Sequence, residues 1–344
     1  MHIAFSWQLL PEFAIVGLAA IVLSATLIVA LMPLLARYAL ARPNARSSHI
    51  VPTPQGGGIA VVGAVLLLAI PATLYLPGFD ASQTQQLALL LGATATLAFV
   101  GAIDDIRTIE ALPRLLFQFL AVGVVVVLLP EEVRVVPGLP LLLERALAVI
   151  AGVWFVNLVN FMDGIDCITV VEVVPVTAAL CVLALIGALP QSGTLIAFAL
   201  LGATLGFAPF NRPVAKLFLG DVGSLPIGLL VFWLLLQLAG RGYFAAALLL
   251  PLYYLADATI TLLLRMLRGE SIMVAHRRHF YQQAVDRGLS VKTVIARIAA
   301  VNAVLVLLAL ASGLLRSRMF DIAAIVAGAA LVAVLLANLA RSER

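Results

Sequence analysis

Acidic residues collect where the apolar segments of this sequence end or begin. Asp104 and Asp105 follow one long apolar run, and Asp221 opens another between two glycines. A helix C-terminus carries partial negative charge, so an adjacent carboxylate pair is unfavourable there unless a divalent cation or nearby Arg107 offsets it. Carboxylate oxygens are also the ligands that Mg²⁺ prefers. A solvated helix end for the pair, and a helix N-cap for Asp221, are the alternative interpretations.

A second polar group recurs at every third position and comprises Asn157, Asn160, Asp163 and Asp166. Each step rotates about 60° around a helix, so these side chains form a slowly drifting stripe. The stripe leaves an apolar segment and enters a glycine-containing break, where amides and carboxylates can hydrogen-bond a nucleobase or a ribose. Alternatively, Asp166 caps the next helix and the asparagines join neighbouring helices. Four polar residues in ten are costly inside a membrane, which favours a binding site.

Imidazoles and guanidiniums meet in the motif His276-Arg277-Arg278-His279. Arginine side chains match phosphate oxygens in a bidentate manner, so Arg277 and Arg278 are candidate phosphate contacts. A basic loop that faces anionic lipid headgroups is the alternative. A glycine run at 56–58 follows His49 and lacks the spacing of a nucleotide-binding fingerprint, so a flexible hinge is its simpler interpretation.

The elements that position these residues follow from composition. The chain has 344 residues, of which 63% are hydrophobic and 11% charged, and its mean hydropathy is +1.15. These values exclude an ordinary soluble domain, and they leave no basic arm for nucleic acid. A membrane-spanning helix needs about 20 apolar residues. We therefore predict an all-α, polytopic membrane bundle of about eleven transmembrane helices, near 13–36, 56–76, 84–103, 114–130, 145–162, 167–188, 192–210, 222–239, 243–267, 291–315 and 319–340.

The sided distribution of Arg and Lys predicts how the bundle is oriented. Alternating loops place five of the 21 basic residues on one side (Arg134, Arg145, Arg241, Arg316 and Arg318) and the rest on the other. The richer side should face the cytoplasm, which puts the N-terminus outside and the C-terminus inside. We expect a single transmembrane domain over 1–344, with cytoplasmic loops near 37–55, 104–113, 211–221 and 268–290. All the polar motifs above fall on that cytoplasmic face.

These motifs, in this order, resemble a known family. His49-x-x-Pro-Thr-Pro-x-Gly-Gly-Gly, Asp104-Asp105, Asn160-Phe-Met-Asp163-Gly-Ile-Asp166, Lys216-Leu-Phe-Leu-Gly-Asp221-Val-Gly-Ser and His276-Arg-Arg-His279 resemble the polyprenyl-phosphate N-acetylhexosamine-1-phosphate transferases, the MraY/WecA family. The resemblance extends from about residue 46 to 285. It implies a membrane enzyme that transfers N-acetylhexosamine-1-phosphate from a UDP-sugar to polyprenyl (undecaprenyl) phosphate and releases UMP. It also implies Mg²⁺ as cofactor, with Mn²⁺ as an alternative ion.

The resemblance assigns roles to residues of this sequence. Asp221 looks like the family's metal-binding aspartate, and Asp104 and Asp105 look like its paired aspartates, of which Asp105 is the second metal candidate. With these, the expected catalytic residues include His276 and His279. The expected substrate-binding residues are Asn157, Asn160, Asp163, Asp166, Lys216, Arg277, Arg278 and His49. Direct attack by the lipid phosphate and a covalent aspartyl intermediate both stay open.

The sequence departs from the family at Cys167, where Gly usually follows the second aspartate of Asp-Gly-x-Asp. The histidine motif lacks three consecutive histidines, which makes it more similar to the branch that initiates O-antigen and other surface polysaccharides in the bacterial inner membrane. Two other functions stay open: a secondary transporter with Glu172 and Asp257 as an acidic relay, and an inactive homologue that binds lipid-linked sugar. The amino sugar also stays open, as does a homodimer.

Overall fold

The computed structural model describes residues 9–41, 52–270 and 276–341. Within them lie thirteen helices and two short strands. In chain order these are α1 Leu10–Tyr38, β1 Leu40–Ala41, β2 Thr53–Pro54, α2 Gly58–Tyr75, α3 Ala81–Ile106, α4 Ala111–Val127, α5 Leu141–Met162, α6 Ile168–Leu185, α7 Gln191–Asn211, α8 Asp221–Gly240, α9 Phe244–Leu249, α10 Leu252–Leu267, α11 Phe280–Asp286, α12 Val291–Leu315 and α13 Arg318–Arg341.

The prediction of an all-α, polytopic membrane protein is confirmed. In the described part of the chain, nine helices are long and apolar enough to cross a membrane, and α4 is a shorter apolar helix. The expected helix at 243–267 is instead two helices, α9 and α10, which are separated at Leu250 and Pro251. The proline has no N–H for the helical ladder, and its ring clashes with the carbonyl four residues earlier. The orientation across the membrane stays a prediction.

Helix α8 lies at the centre of the bundle and packs against α3 and α5. In an apolar 18-residue stretch of α8, 94% of the residues are buried, whereas in the corresponding stretch of α1 only 22% are buried. Glycines on the neighbouring helices allow α8 to pack this closely. A Cβ on Gly101 of α3 would lie 2.3 Å from the carbonyl oxygen of Asp221. A Cβ on Gly58 of α2 would lie 2.2 Å from the Cα of Gly223. Such small-residue contacts are typical of membrane helices. They bring the last turn of α3 against the first turn of α8.

The glycine run at 56–58 is a packed junction between α2 and the segment that leads into α8. The backbone N–H of Gly57 donates to Phe218 O at 2.8 Å, and that of Gly58 donates to Leu219 O at 2.8 Å. The β1–β2 pair, with Leu40 opposite Pro54, lies beside it. The interpretation as a flexible hinge is therefore replaced by a junction that holds the starts of α2 and α8 at one end of the bundle.

Candidate active site

Three carboxylates meet where α3 ends and α8 begins. Asp104 Oδ2 accepts from Arg114 Nη1 at 2.9 Å, and the same nitrogen lies 3.6 Å from Asp221 Oδ2. The Asp104 and Asp221 side chains are themselves within hydrogen-bonding reach of each other. Asn160 on α5 donates to Asp221 Oδ1 at 2.8 Å, which fixes that carboxylate from the opposite side. The arrangement, called the acid cluster below, comprises Asp104, Asp105 and Asp221, with Arg114 between Asp104 and Asp221.

Asp105 connects the last turn of α3 to the N-terminus of α8. Its Oδ1 accepts from the backbone N–H of Asp221 at 2.9 Å, and its Oδ2 accepts from that of Val222 at 3.1 Å. The Gln55 side chain also donates to Oδ1. A carboxylate at a helix N-terminus satisfies N–H groups that have no partner inside the helix and complements the positive end of the helix dipole. Asp105 therefore positions Asp221, and its role as a metal ligand stays a prediction.

A polar cavity of about 280 Å³ opens beside the acid cluster. Its lining includes Asn160, Asp163, Asp166 and Asp221, so four of the sequence-predicted residues do converge. Asp163 follows the last residue of α5, and its carboxylate accepts a hydrogen bond from the Thr169 hydroxyl. Burial, with a smaller contribution from the charge of Asp105, raises the pKa of Asp163 to about 7.

Asp166 binds the loop between α7 and α8, beside this cavity. Its Oδ2 accepts from the backbone N–H of Ala215 at 3.0 Å. Cys167, not Asp166, occupies the N-cap position of α6, and its N–H donates to Asn211 Oδ1 at 2.8 Å. The interpretation of Asp166 as that N-cap is therefore wrong. Its side chain instead joins two loops at the edge of the cavity.

An apolar groove of about 520 Å³ runs between α4, α5 and α10. Its walls include Leu115, Phe119, Ile150, Val153 and Leu262, and its polar end contains Arg114, Asn157, Asn160, Asp221, His276 and His279. Asn157 is buried and donates to Gln118 on α4 and to Val153 O at 2.8 Å, so it also joins helices as the structural alternative proposed. Asn160 and Asp221 line both the groove and the polar cavity.

The histidine motif divides between the groove and the surface. His276 and His279 line the groove, with ring centroids 5.0 Å apart. Burial, with smaller contributions from the neighbouring His279, Arg265 and Arg278, lowers the pKa of His276 to about 4. Arg277 pairs with Asp286 at 2.7 Å, and Arg278 pairs with Glu270. Both guanidiniums are thus engaged by carboxylates, and their role as phosphate contacts stays a prediction.

Two further predicted residues lie apart from the cavities. Lys216 is exposed on the loop before α8 and is not among the residues that line either cavity. His49 lies outside the residues that the structure describes. Sequence reasoning missed Arg114 and Gln55, which contact the acid cluster directly. Arg114 resembled every other loop arginine, and the one available signal was its position ten residues after Asp104.

The two intramembrane acids, Glu172 and Asp257, both accept hydrogen bonds from other elements of the protein. Glu172 on α6 accepts from Asn302 Nδ2 on α12 at 2.7 Å. Asp257 on α10 accepts from the backbone N–H of Phe280 at 3.1 Å, at the start of α11. Both side chains are buried, and they hold different pairs of elements together.

Comparison with known proteins gives a family match over the central part of the chain. Residues 87–239 match the family described as glycosyl transferase family 4. Over 244 residues the chain is 33% identical to the decaprenyl-phosphate N-acetylglucosaminephosphotransferase of Mycobacterium tuberculosis (strain CDC 1551 / Oshkosh), an alignment that covers 64% of this chain and 59% of that protein. Residues 87–239 are therefore similar to glycosyl transferase family 4.

Two further proteins are similar to the chain. The probable undecaprenyl-phosphate N-acetylglucosaminyl 1-phosphate transferase of Bacillus subtilis (strain 168) is 26% identical over 82% of this chain and 81% of that protein. The phospho-N-acetylmuramoyl-pentapeptide-transferase of Wolbachia pipientis wMel is 31% identical over 51% of this chain and 56% of that protein. The chain thus spans about three fifths of the mycobacterial relative.

The family match contains the acid cluster and the polar stripe, and it ends before the histidine motif. It also contains Cys167, where sequence reasoning expected glycine from the family resemblance. The backbone of Cys167 has φ +66°, in the left-handed region that glycine adopts without steric cost. Cys167 does not line the polar cavity, so the substitution acts on the backbone and not by crowding the cavity.

Proposed function

We propose that the chain transfers N-acetylhexosamine-1-phosphate from a UDP-sugar to polyprenyl phosphate at the cytoplasmic face of a bacterial plasma membrane. One observation carries this proposal: a polar cavity and an apolar groove meet at Asn160 and Asp221. A polar nucleotide-sugar fits the first, and a prenyl chain fits the second. Their phosphates would then meet beside the acid cluster.

The acid cluster fits a divalent cation. Asp104 and Asp221 flank Arg114, and Asp105 lies behind Asp221, so three carboxyl groups gather beside one guanidinium. Among the described residues, no group of three or more His, Cys, Asp or Glu side chains is placed to hold a metal ion by itself, so substrate oxygens would have to supply further ligands. Mg²⁺ commonly takes one or two carboxylates and completes its coordination with substrate phosphates. Asp221 is the residue proposed to hold it, with Asp105 behind it, and the ion would neutralise charge on the diphosphate.

The remaining residues orient the reactants. Asn160 fixes Asp221 through the 2.8 Å hydrogen bond, and Arg114 attracts phosphate oxygens at the point where the two cavities meet. In the transfer, a lipid-phosphate oxygen bonds to the sugar-linked phosphorus, and the phosphoanhydride bond to UMP breaks. UMP leaves with the electron pair of that bond. We propose that the product initiates a surface glycan of the O-antigen type.

The test is UMP release by the purified chain. Given undecaprenyl phosphate, Mg²⁺ and a panel of UDP-N-acetylhexosamines that includes 6-deoxy sugars, the chain should release UMP with at least one donor, and EDTA should stop the release. Asp221→Asn should lower kcat by about 10²-fold or more, because electrostatic contacts to developing charge have effects of this size. Mn²⁺ in place of Mg²⁺ tests the second ion.

Asp80→Asn is the matched control. Asp80 caps the N-terminus of α3, at the end of that helix remote from Asp104, and Asn caps as well as Asp. Its activity should equal that of the wild type. Full activity in Asp221→Asn would refute the metal role, and uptake into proteoliposomes without UMP release would favour the transporter. Binding of lipid-linked sugar without turnover would favour an inactive homologue.

A further inference from the structure

Asp257 gathers an unusual number of hydrogen-bond donors for a carboxylate in the middle of an apolar helix. It is fully buried on α10. Its Oδ1 accepts from the backbone N–H of Phe280 at 3.1 Å, and its Oδ2 accepts from that of Tyr281 at 3.4 Å. Two hydroxyls of the same helix lie at similar distances, that of Tyr253 at 3.2 Å and that of Thr261 at 3.3 Å. The carboxylate therefore anchors the start of α11 to α10.

The same carboxylate faces an imidazole of the groove. His279 Nδ1 lies 3.2 Å from Asp257 Oδ1. Backbone N–H groups only donate, so Asp257 acts as an acceptor toward α11, and a nitrogen lone pair aimed at it would be repelled. This contact therefore favours the tautomer with the proton on Nδ1. In the neutral ring this leaves a lone pair on Nε2, because the bond that one ring nitrogen makes determines the state of the other.

The position of the ring is fixed as firmly as its tautomer. The backbone N–H of His279 donates to Gln282 Oε1 at 3.3 Å, and the ring stacks on Tyr281 with centroids 5.8 Å apart. The Tyr281 hydroxyl donates to Phe161 O at 3.1 Å, which ties this layer to α5. His279 lines the groove whose polar end includes Asn160 and Asp221. Its orientation therefore bears directly on whatever occupies that end.

We propose that Asp257 is a positioning residue that holds His279 in the Nδ1–H tautomer, with Nε2 left as the acceptor for a phosphate group at the polar end of the groove. This inference rests on the proposed function. A phosphate monoester titrates near pH 6, so a monoprotonated lipid phosphate has an O–H to give. The proton would move from that oxygen to Nε2 and leave the phosphate dianionic. Asp257 would stabilise the imidazolium that results, as a buried carboxylate does beside a catalytic histidine.

The tautomer can be measured without any substrate. The full chain, labelled with ¹⁵N in its histidine rings, should show the His279 signal with the proton on Nδ1, and His279→Gln assigns that signal. In Asp257→Asn the carboxamide can present its NH₂ group to Nδ1, so the proton should move to Nε2. A wild-type ring protonated on Nε2 alone would overturn the proposal, even if the variant failed to fold.

Activity supplies the second arm. Asp257→Asn should lower kcat by about 10²-fold, within the range of general acid–base contributions, with KM for the UDP-sugar unchanged. Glu172→Gln is the matched control, because it neutralises a buried acid on α6 that contacts α12 and not the groove. Tyr253→Phe removes one hydrogen-bond donor from Asp257 and keeps the contact between Asp257 and His279. The His279 tautomer and kcat should therefore both equal those of the wild type.

The two arms separate the possible failures. The expected tautomer without UMP release from the wild type would refute the proposed function and leave the geometric assignment standing. UMP release with an unchanged kcat in Asp257→Asn would refute the positioning role and leave the proposed function standing. A loss of kcat in Tyr253→Phe equal to that in Asp257→Asn, with the His279 tautomer unchanged, would show that kcat does not depend on the tautomer, and would overturn the proposal.

Discussion

At the scale of single residues, Cys167 is a non-glycine residue in a backbone conformation that favours glycine. A non-glycine residue in the left-handed region costs about 1–2 kcal/mol, and Cys167 has φ +66° with its N–H held by Asn211. Cys167→Gly relieves that cost but gives the unfolded chain more freedom, which offsets about 0.4–1 kcal/mol. We expect a net rise in Tm of about 1–3 °C, measured by thermal unfolding in detergent.

Cys167→Ser is the control for this change, because serine is similar in size and carries the same backbone cost. Its Tm should equal that of the wild type. UMP release should be the same in all three proteins, since Cys167 does not line the polar cavity. A Tm that falls in Cys167→Gly would contradict the strain, and UMP release only in that variant would support the inactive homologue.

Asp163 gives the protein a pH-dependent stability. Its pKa is raised to about 7, because burial disfavours the charged form, whereas an unfolded aspartate titrates near 3.9. The folded state thus binds the proton more tightly, so its contribution to stability is complete below about pH 4, falls as pH rises, and is lost above about pH 7. In metal-free buffer, Tm should decrease between pH 5 and pH 8.

Asp163→Asn should flatten this dependence, because the amide does not titrate. Asp80→Asn, at the remote end of α3, should keep the wild-type slope. Thermal unfolding at several pH values with EDTA present measures the difference between them. An equal slope in Asp163→Asn and the wild type would assign the dependence to another group.

At the scale of elements, the acid cluster depends on how closely α3 approaches α8. A Cβ on Gly101 would lie 2.3 Å from Asp221 O, a contact that must push the helices apart. Gly101→Ala should therefore separate Asp104 and Asp105 from Asp221. We expect a loss of kcat of more than about tenfold and a lower Tm, since overpacking costs about 1–3 kcal/mol.

Gly92 offers a control on the same helix. A Cβ there meets no heavy atom within 4 Å, and alanine is a better helix former by about 0.8–1.0 kcal/mol. Gly92→Ala should keep kcat and keep or raise Tm. Equal losses in the two variants would mean that α3 tolerates no side chain at either position, and that the contact with α8 is not the cause.

The elements also mark what sequence could and could not predict. Long apolar runs predicted the helices because membrane burial requires about 20 such residues whatever their partners. The break at Pro251 was missed, since Pro175 and Pro226 lie inside unbroken helices, and only local packing decides between the two outcomes. The convergence of Asn160 with Asp221 followed from motifs, but Gln55 and Arg114 needed tertiary contacts that no local pattern encodes.

At the scale of the whole molecule, the bundle around α8 has a polar cavity and an apolar groove with different surroundings. The polar cavity opens among loops near the starts of α2 and α8, whereas the groove lies along α4, α5 and α10. The exposed apolar side chains of α1, such as Leu18, face outward as a lipid-facing helix requires. Substitutions in the two cavities should therefore affect two different substrates.

The groove gives the sharpest test of this separation. Ile150 lies on its wall, ten residues and about 15 Å along α5 from Asn160. Ile150→Trp should fill part of the groove and raise KM for undecaprenyl phosphate by about tenfold, the equivalent of about 1.4 kcal/mol, with KM for the UDP-sugar unchanged. Leu18→Trp, on the exposed face of α1, should change neither KM. With a short prenyl phosphate whose chain ends before Ile150, KM should be the same for Ile150→Trp and the wild type. If the variant raises both KM values, or penalises short and long chains equally, the prenyl chain lies elsewhere and the groove serves another purpose.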